Sequence, residues 1–274
     1  MTTVEQLASS QEVSVEIGGM PIVLRTPDPG FLAMVEQRYH GYLGRPGASA
    51  FSFDVEVRPD HLFPPDDGEN ELRVWKELGR WRLERGDFLA EMDPATRTGR
   101  ILQAPSPYAI DSVLRIVHSL IQAPAGGFLL HGASAIRGGR AFLFSGISGA
   151  GKTTISRLAP PDVMLLTDEI SYVRRDGEGY RACGTPFAGE LAQPGENASA
   201  PVERLFFLAK GPENRIDRVD PAGALRMLLR NILFFADDAD LVKMVFRSAA
   251  EFLERIPASQ LTFFPDARVW QLIE

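Results

Sequence analysis

The sequence predicts an α/β protein in which a β-rich N-terminal lobe precedes a core of alternating strands and helices. Three observations support this fold class. Apolar and polar residues alternate with a period of two through much of the first hundred residues. Strands and helices alternate after about residue 105. A glycine-rich loop at residues 146–154 joins an apolar strand to a helix.

The N-terminal lobe, residues 1–104, is predicted to contain several strands. "VSVEIGGMPIVLRT" forms a hairpin around Gly18 and Gly19, and "FSFDVEV" forms a half-buried strand. "HLFPPDDGENE" (residues 61–71) is a loop. "FLAEMDPATRTGRILQ" forms a second hairpin with its turn between Pro94 and Gly99.

The second lobe, residues 105–274, begins with a helix. Ser106 is an N-cap residue, and Pro107 suits the first helical position. Apolar residues at helical spacing then continue until Pro124 ends the helix. "GFLLHGASAI" and "AFLFSG" form a hairpin, and its second strand leads directly into the glycine-rich loop.

Beyond the loop the same alternation continues. We expect a short helix in "TTISRLA", a buried strand in "DVMLLTDE", a hairpin through Asp176 and Gly177, and a strand in "VERLFFLAK". Asp220 and Pro221 start a helix, and another helix extends from about Asp237 to Arg255.

The composition excludes several classes of protein. The net charge of −7 argues against nucleic acid as a partner, and no apolar run approaches the length that crosses a membrane. The single Cys183 excludes an internal disulfide and fits the reducing cytoplasm. Only four of the 29 basic residues are lysine, so the lysine inside the glycine-rich loop is not background usage.

The loop has the spacing of a phosphate-binding loop. Gly146 and Gly151 allow backbone N–H groups to surround a phosphate, Lys152 supplies positive charge, and the Thr153 hydroxyl suits Mg²⁺. The expected ligand is ATP, bound with Mg²⁺. The residues expected to bind the nucleotide are Gly146, Ser148, Gly149, Ala150, Gly151, Lys152, Thr153 and Thr154.

Two acidic residues follow the next strand. Asp168 and Glu169 come shortly after the loop, which suits a small kinase better than a motor or a switch protein. One carboxylate could ligate Mg²⁺ and the other could deprotonate an acceptor hydroxyl, and the sequence does not assign these two roles. If the strands on either side of residues 137–140 pair, His131 lies near the same site.

Residues from about 126 to 175, which contain "LLHGASAI", "GISGAGKTT" and "LLTDE", resemble the catalytic core of the HPr kinase/phosphorylase family. The same order occurs in ATP-dependent phosphoenolpyruvate carboxykinase, whose core is related. The resemblance implies that His131, Asp168 and Glu169 surround the metal and the transferred phosphate. "GTPFAGE" also occurs in relatives and implies that Glu190 is a further acid beside the metal.

The chain also departs from the regulatory HPr kinases, which carry two aspartates where this chain has Asp168 and Glu169. It is more similar to relatives that phosphorylate a serine of a ribosomal peptide precursor. We therefore expect an ATP- and Mg²⁺-dependent kinase whose acceptor is a hydroxyl of a peptide, a protein or a small molecule. Catalysis would involve His131, Lys152, Asp168 and Glu169, and the β-rich lobe would recognise the acceptor.

Two alternatives remain open: a small-metabolite kinase and a nucleotide-binding regulatory module without turnover. The 145 residues before the loop argue against the first, and the acid pair argues against the second. Related enzymes form oligomers, so a homo-oligomer is also considered.

Overall fold

A computed structural model describes residues 11–45, 47, 49–59 and 71–273. It is a mixed α/β structure with two multi-stranded sheets and few helices, as the predicted class requires. The chain divides into two compact units. The first extends to Val117 and includes Phe235–Asp238, and the second comprises His118–Phe234 and the residues from Ala239 onward. The domain boundary expected at residue 105 stays a prediction. The loop expected over residues 61–71 lies outside the described residues, apart from Glu71.

Among the described residues, the first unit contains a seven-stranded sheet. Its strands lie in the order β1-β2-β3-β7-β6-β5-β4. They are β1 (Gln11–Ile17), β2 (Met20–Thr26), β3 (Phe51–Val57), β4 (Arg73–Glu77), β5 (Arg80–Arg85), β6 (Phe88–Asp93) and β7 (Thr98–Gln103). The hairpins β1–β2 and β6–β7 and the strand β3 confirm the predictions for this region.

The sequence analysis missed one helix in this unit, α1 (Pro29–Arg38), which packs on β1 and β2. It begins at an N-cap aspartate, Asp28, whose carboxylate accepts hydrogen bonds from the backbone N–H groups of Gly30 and Phe31. The predicted helix α2 (Pro107–Gln122) forms as expected, and the Ser106 hydroxyl accepts the Tyr108 N–H.

The second unit contains an eight-stranded sheet among the described residues. Its strands are β8 (Phe128–Arg137), β9 (Arg140–Ser145), β10 (Val163–Thr167), β11 (Ile170–Asp176), β12 (Gly179–Cys183), β13 (Ser199–Lys210), β14 (Arg215–Arg218) and β15 (Ala258–Phe263). The main path is β10-β8-β11-β12-β13-β15-β14, and β9 pairs with both β8 and β13. Because β9, β13 and β15 are parallel, their carboxyl ends meet at one edge of the sheet.

Both faces of this sheet are covered, which explains why β9 is apolar at nearly every position. Leu143 and Phe207 pack on one face, in a cluster with α4 (Pro221–Leu229) and α5 (Ala239–Arg255). Phe144 and Phe206 pack on the other face, with α3 (Lys152–Arg157) and the C-terminal 3₁₀ helix Ala267–Leu272. No described helix is long and apolar enough to cross a membrane.

Most predicted elements of the second unit form, including the hairpins β8–β9 and β11–β12 and the helix that Asp220 caps. One expectation is wrong. The strand in "DVMLLTDE" is not buried throughout, since β10 lies at the edge of the sheet and Met164 is exposed. In this strand, Leu166 packs in the core, whereas the Met164 side chain is exposed.

Candidate functional site

A cavity of about 600 Å³ in the second unit brings most of the predicted site residues together. It lies at the edge where the parallel strands end, as ligand sites in α/β sheets commonly do. The predicted residues that line it are His131, Ser148, Gly149, Gly151, Lys152, Thr153, Thr154, Asp168, Glu169 and Glu190. Gly146 and Ala150 do not line it and are buried within the loop. A Cβ atom on Gly146 would lie 2.8 Å from Cβ of Ala150.

The glycine-rich loop follows β9, and two of its glycines adopt backbone angles that other residues rarely take. Gly149 has φ +76° and Gly151 has φ +113°. A Cβ atom on Gly151 would also lie 2.6 Å from Cζ of Phe263, at the end of β15. Gly151 is therefore required both by its backbone angle and by the neighbouring aromatic ring.

Lys152 starts α3 and is only 8% exposed. Its Nζ donates hydrogen bonds to the carbonyl oxygens of Gly146 (3.0 Å) and Ile147 (3.2 Å). Burial lowers the pKa of Lys152, and the charges of Glu169 and Glu190 oppose that shift. The ammonium group is thus held under the loop and within electrostatic reach of two carboxylates.

His131 lies beside the loop, as expected if β8 and β9 pair. The register places Gly132 opposite Ser145, and His131 opposite Ile170 of β11. The backbone of this histidine is fixed on both sides, because its N–H donates to the Asn231 carbonyl and its carbonyl accepts the Ser145 hydroxyl. His118, in contrast, is fully buried in α2.

Asp168 is 5% exposed and is held by two backbone hydrogen bonds. Its Oδ1 accepts the Gly189 N–H (2.9 Å), and its Oδ2 accepts the Leu191 N–H (3.0 Å). A Cβ atom on Gly189 would lie 2.8 Å from that Oδ2, so the loop can approach the carboxylate only because this position is glycine. The carboxylate of Asp168 therefore binds the backbone N–H groups of the two residues on either side of Glu190.

Residues 184–198 form a loop that we call the strap. Its base is closed by hydrogen bonds from Gly184 N–H to the Ala198 carbonyl and from Gly195 N–H to the Thr185 carbonyl. The strap is also bonded to β10, because the N–H groups of Thr185 and Glu196 donate to the carbonyls of Leu166 and Leu165. The "GTPFAGE" segment lies in the strap, which delivers Glu190 to the cavity.

The sequence analysis did not assign Lys210, which lines the same cavity. It ends β13, and this strand lies parallel and adjacent to β9, the strand that enters the loop. Lysine is scarce in this chain, so a lysine that ends an apolar strand was a usable signal. Arg226 of α4 and Arg230, which follows α4, are exposed and do not line the cavity.

The acids do not form a metal cage of protein ligands alone. Within the described part of the chain, no group of three His, Cys, Asp or Glu side chains could hold a metal ion. Mg²⁺ at a phosphate site needs only one or two protein carboxylates, with phosphate and water completing the shell. Thr153, Asp168, Glu169 and Glu190 supply oxygen atoms of that type around one cavity, and their roles as metal ligands stay predictions.

Comparison with known proteins adds one finding. Residues 107–274, more than half of the chain, match the family model described as "SynChlorMet cassette protein ScmC". The matched range includes every residue that lines the cavity. No curated protein matches the chain. The chain therefore belongs to the ScmC family of SynChlorMet cassette proteins.

Proposed function

We propose that this protein is an ATP- and Mg²⁺-dependent phosphotransferase that transfers the γ-phosphate to an acceptor hydroxyl. One observation carries the proposal: a single cavity is lined by a glycine-rich loop, a buried lysine, a threonine hydroxyl and three carboxylates. A phosphoryl-transfer enzyme needs these parts, because it must position the phosphates, neutralise their charge and accept a proton. We also propose that the second unit has the core of the HPr kinase and phosphoenolpyruvate carboxykinase type.

The loop and two lysines would hold the triphosphate. Ser148, Gly149 and residues 151–154 line the cavity, and the backbone N–H groups of such a loop suit phosphate oxygens. The Lys152 ammonium lies beneath the loop, where it would contact the β- and γ-phosphates. Lys210 adds a second positive charge at the same edge and would help to balance the three acids.

Thr153 and one or two of the carboxylates would hold Mg²⁺ against the phosphates. The hydroxyl and carboxylate oxygens present are the donor types that this ion prefers. Bound there, Mg²⁺ would offset the negative charge on the transferred phosphoryl group.

The two neighbouring acids have different surroundings, which suggests different roles. Both oxygens of Asp168 accept backbone N–H groups, so we assign Asp168 to positioning the strap. Glu169 is more exposed, lines the cavity and lies within electrostatic reach of Lys152, so we assign it as the general base. His131 would contact the transferred phosphoryl group from the β8 side.

The reaction balances with these groups. The acceptor hydroxyl gives its proton to the Glu169 carboxylate as its oxygen forms a bond to the γ-phosphorus. The bond from the γ-phosphorus to the oxygen bridging the β- and γ-phosphates breaks, and ADP leaves with that electron pair. The acceptor is a hydroxyl of a peptide, a protein or a small molecule.

The test uses γ-labelled ATP, Mg²⁺ and an extract of the source cell, with label followed separately in protein, peptide and metabolite fractions. Lys152→Met should reduce labelling by at least about 100-fold, because it removes the charge that stabilises the transferred phosphate. Lys243→Met is the matched control, since Lys243 is an exposed lysine on α5 and should leave labelling unchanged. Full activity in the Lys152 variant would overturn the proposal, and tight ATP binding without any labelled product would favour a regulatory module.

A further inference from the structure

A second cavity, of about 450 Å³, adjoins the first and shares Asp168 with it. The strap lies between the two. Ala188, Gly189 and Glu190 line the first cavity, whereas Leu191 and residues 193–196 line the second. The point at which Asp168 grips the strap is therefore the junction of the two cavities.

The lining of the second cavity combines apolar side chains with a few polar groups. Val163, Met164 and Leu165 of β10 contribute one wall, and Leu191 and Pro194 of the strap contribute the other. Met164 is 45% exposed although it lies in an apolar strand. An apolar group entering this cavity would remove both walls from water, which is favourable in proportion to the area covered.

Close packing and hydrogen bonds fix the position of the wall that the strap provides. Gly195 has no room for a side chain, because a Cβ atom there would overlap the Leu166 carbonyl of β10. The Thr185 hydroxyl is buried and donates to the Ile170 carbonyl (2.8 Å), which fixes the first half of the strap. The second cavity is therefore held open by the fold itself.

We propose that the second cavity binds the part of the acceptor that adjoins its reacting hydroxyl, and that this part is an apolar side chain of a peptide. The inference rests on the proposed function, because the first cavity must hold ATP and the hydroxyl. A hydroxyl placed beside Asp168 and Glu169 leaves the rest of its molecule at the junction of the cavities. The second cavity is the adjoining space, and it has the size and mixed lining of a ligand site.

A peptide fits this lining better than a small sugar or another highly polar metabolite. Such a metabolite would cover the apolar side chains of residues 163–165 with hydroxyl groups that find few partners there. A peptide can place one apolar side chain between the walls, and its own amide groups can face the polar side chains of Gln193 and Glu196.

The experiment uses a library of synthetic peptides, each with one central serine and one fixed residue at a defined distance from it. Labelling with γ-labelled ATP is measured for the wild-type protein and for Met164→Lys. We expect the wild type to prefer Leu, Ile or Phe over Asp at one position by at least tenfold. In Met164→Lys the preference should fall or shift toward Asp, with the KM for ATP changed less than twofold. A shift of preference cannot result from misfolding.

Met244→Lys is the matched control. Met244 is a methionine of similar exposure, 41%, and lies on α5 outside both cavities, so this variant should keep the wild-type preference. Wild-type labelling without any apolar preference, or an unchanged preference in Met164→Lys, would overturn the inference. Label in metabolites but not in peptides would overturn it while leaving the phosphotransferase proposal intact. No transfer to any acceptor would overturn the proposed function itself.

Discussion

At the scale of single residues, the site depends on positions where a larger side chain does not fit. Gly189 illustrates this, because its Cα lies against the acid pair with no space for a methyl group. Asp168 accepts the N–H of this glycine, and its proposed role is to position the backbone of the strap. Under the proposed function, the acid pair divides into a positioning residue, Asp168, and a general base, Glu169.

Replacing Gly189 by Ala should lower phosphoryl transfer by about 10- to 100-fold, because small displacements of reacting groups have effects of that size. The added Cβ would lie 2.8 Å from Asp168 Oδ2 and 3.0 Å from Glu169 Cβ, so the strap must shift. Steady-state labelling measures the loss. Gly179→Ala is the control, since its nearest neighbour would be 3.8 Å away, and equal losses in both variants would contradict the prediction.

His118 should make the protein less stable in mild acid. Burial lowers its pKa to about 3, and neither ring nitrogen has a hydrogen-bond partner among the described residues. Below the ordinary histidine pKa of about 6.5, the unfolded chain takes up a proton that the folded protein does not, so stability falls as the pH decreases toward 3. The slope is about 1.4 kcal/mol per pH unit.

The variant His118→Leu tests this expectation by urea unfolding at pH 7.5 and pH 5.0. The wild type should lose about 2 kcal/mol more than the variant between these conditions, because only the wild type carries the buried imidazole. The same loss in both proteins would show that another group causes the acid sensitivity.

At the scale of secondary-structure elements, α1 and α2 are joined by a buried network in the first unit. The Asp111 carboxylate accepts hydrogen bonds from the Arg38 guanidinium and the Tyr39 hydroxyl. Asp111→Ala should destabilise the first unit by about 3 kcal/mol, since it leaves the buried Tyr39 hydroxyl and the half-buried Arg38 guanidinium without their acceptor. Urea unfolding provides the measurement. Glu12→Ala, which removes an exposed ion pair with Arg25, should cost less than about 0.5 kcal/mol.

The sequence was most informative where the structure depends on local pattern. The hairpins β1–β2, β8–β9 and β11–β12, the helices α2 and α4 and the glycine-rich loop were predicted, because each depends on neighbouring residues. The hairpin β4–β5, which turns at Gly79, was not predicted. The helix α1 begins with Asp-Pro, as α4 does, but it was not predicted, because it is a short helix between strands. The strand β15 was missed, since its residues pair with residues of β13 that lie 53 positions earlier in the chain.

In the site, too, the features that depend on residues close in sequence were the predictable ones. The loop, the acid pair and His131 were predictable because one hairpin and one short helix bring them together. Lys210 and the second cavity were not, because they depend on how β13 and the strap lie against distant elements. The apolar sequence of β10 predicted burial, whereas its position at the sheet edge decides which of its side chains are exposed.

At the scale of the whole molecule, the two compact units should respond differently to nucleotide. Every residue lining the proposed nucleotide cavity belongs to the second unit. ATP with Mg²⁺ at 100 times its Kd should therefore stabilise that unit by about 2.7 kcal/mol. Calorimetry should show an upward shift of its transition, and Lys152→Met should reduce the shift.

The transition of the first unit can be identified independently, because Asp111→Ala should lower it. A nucleotide-induced shift confined to the transition that Asp111→Ala lowers would contradict the assignment of the site to the second unit. A shift of equal size in Lys152→Met would contradict the assigned role of that lysine.

Under the proposed function, the construction of the strap has a consequence for how acceptor preference can change over time. Its base is fastened by backbone hydrogen bonds, which tolerate many side chains, while its outer residues face the second cavity. Exchanges at Leu191, Gln193 or Pro194 would reshape that cavity without altering the loop, the lysine or the acid pair. A new acceptor could then be acquired through a few substitutions in one exposed segment, while the residues proposed to transfer the phosphoryl group stay the same.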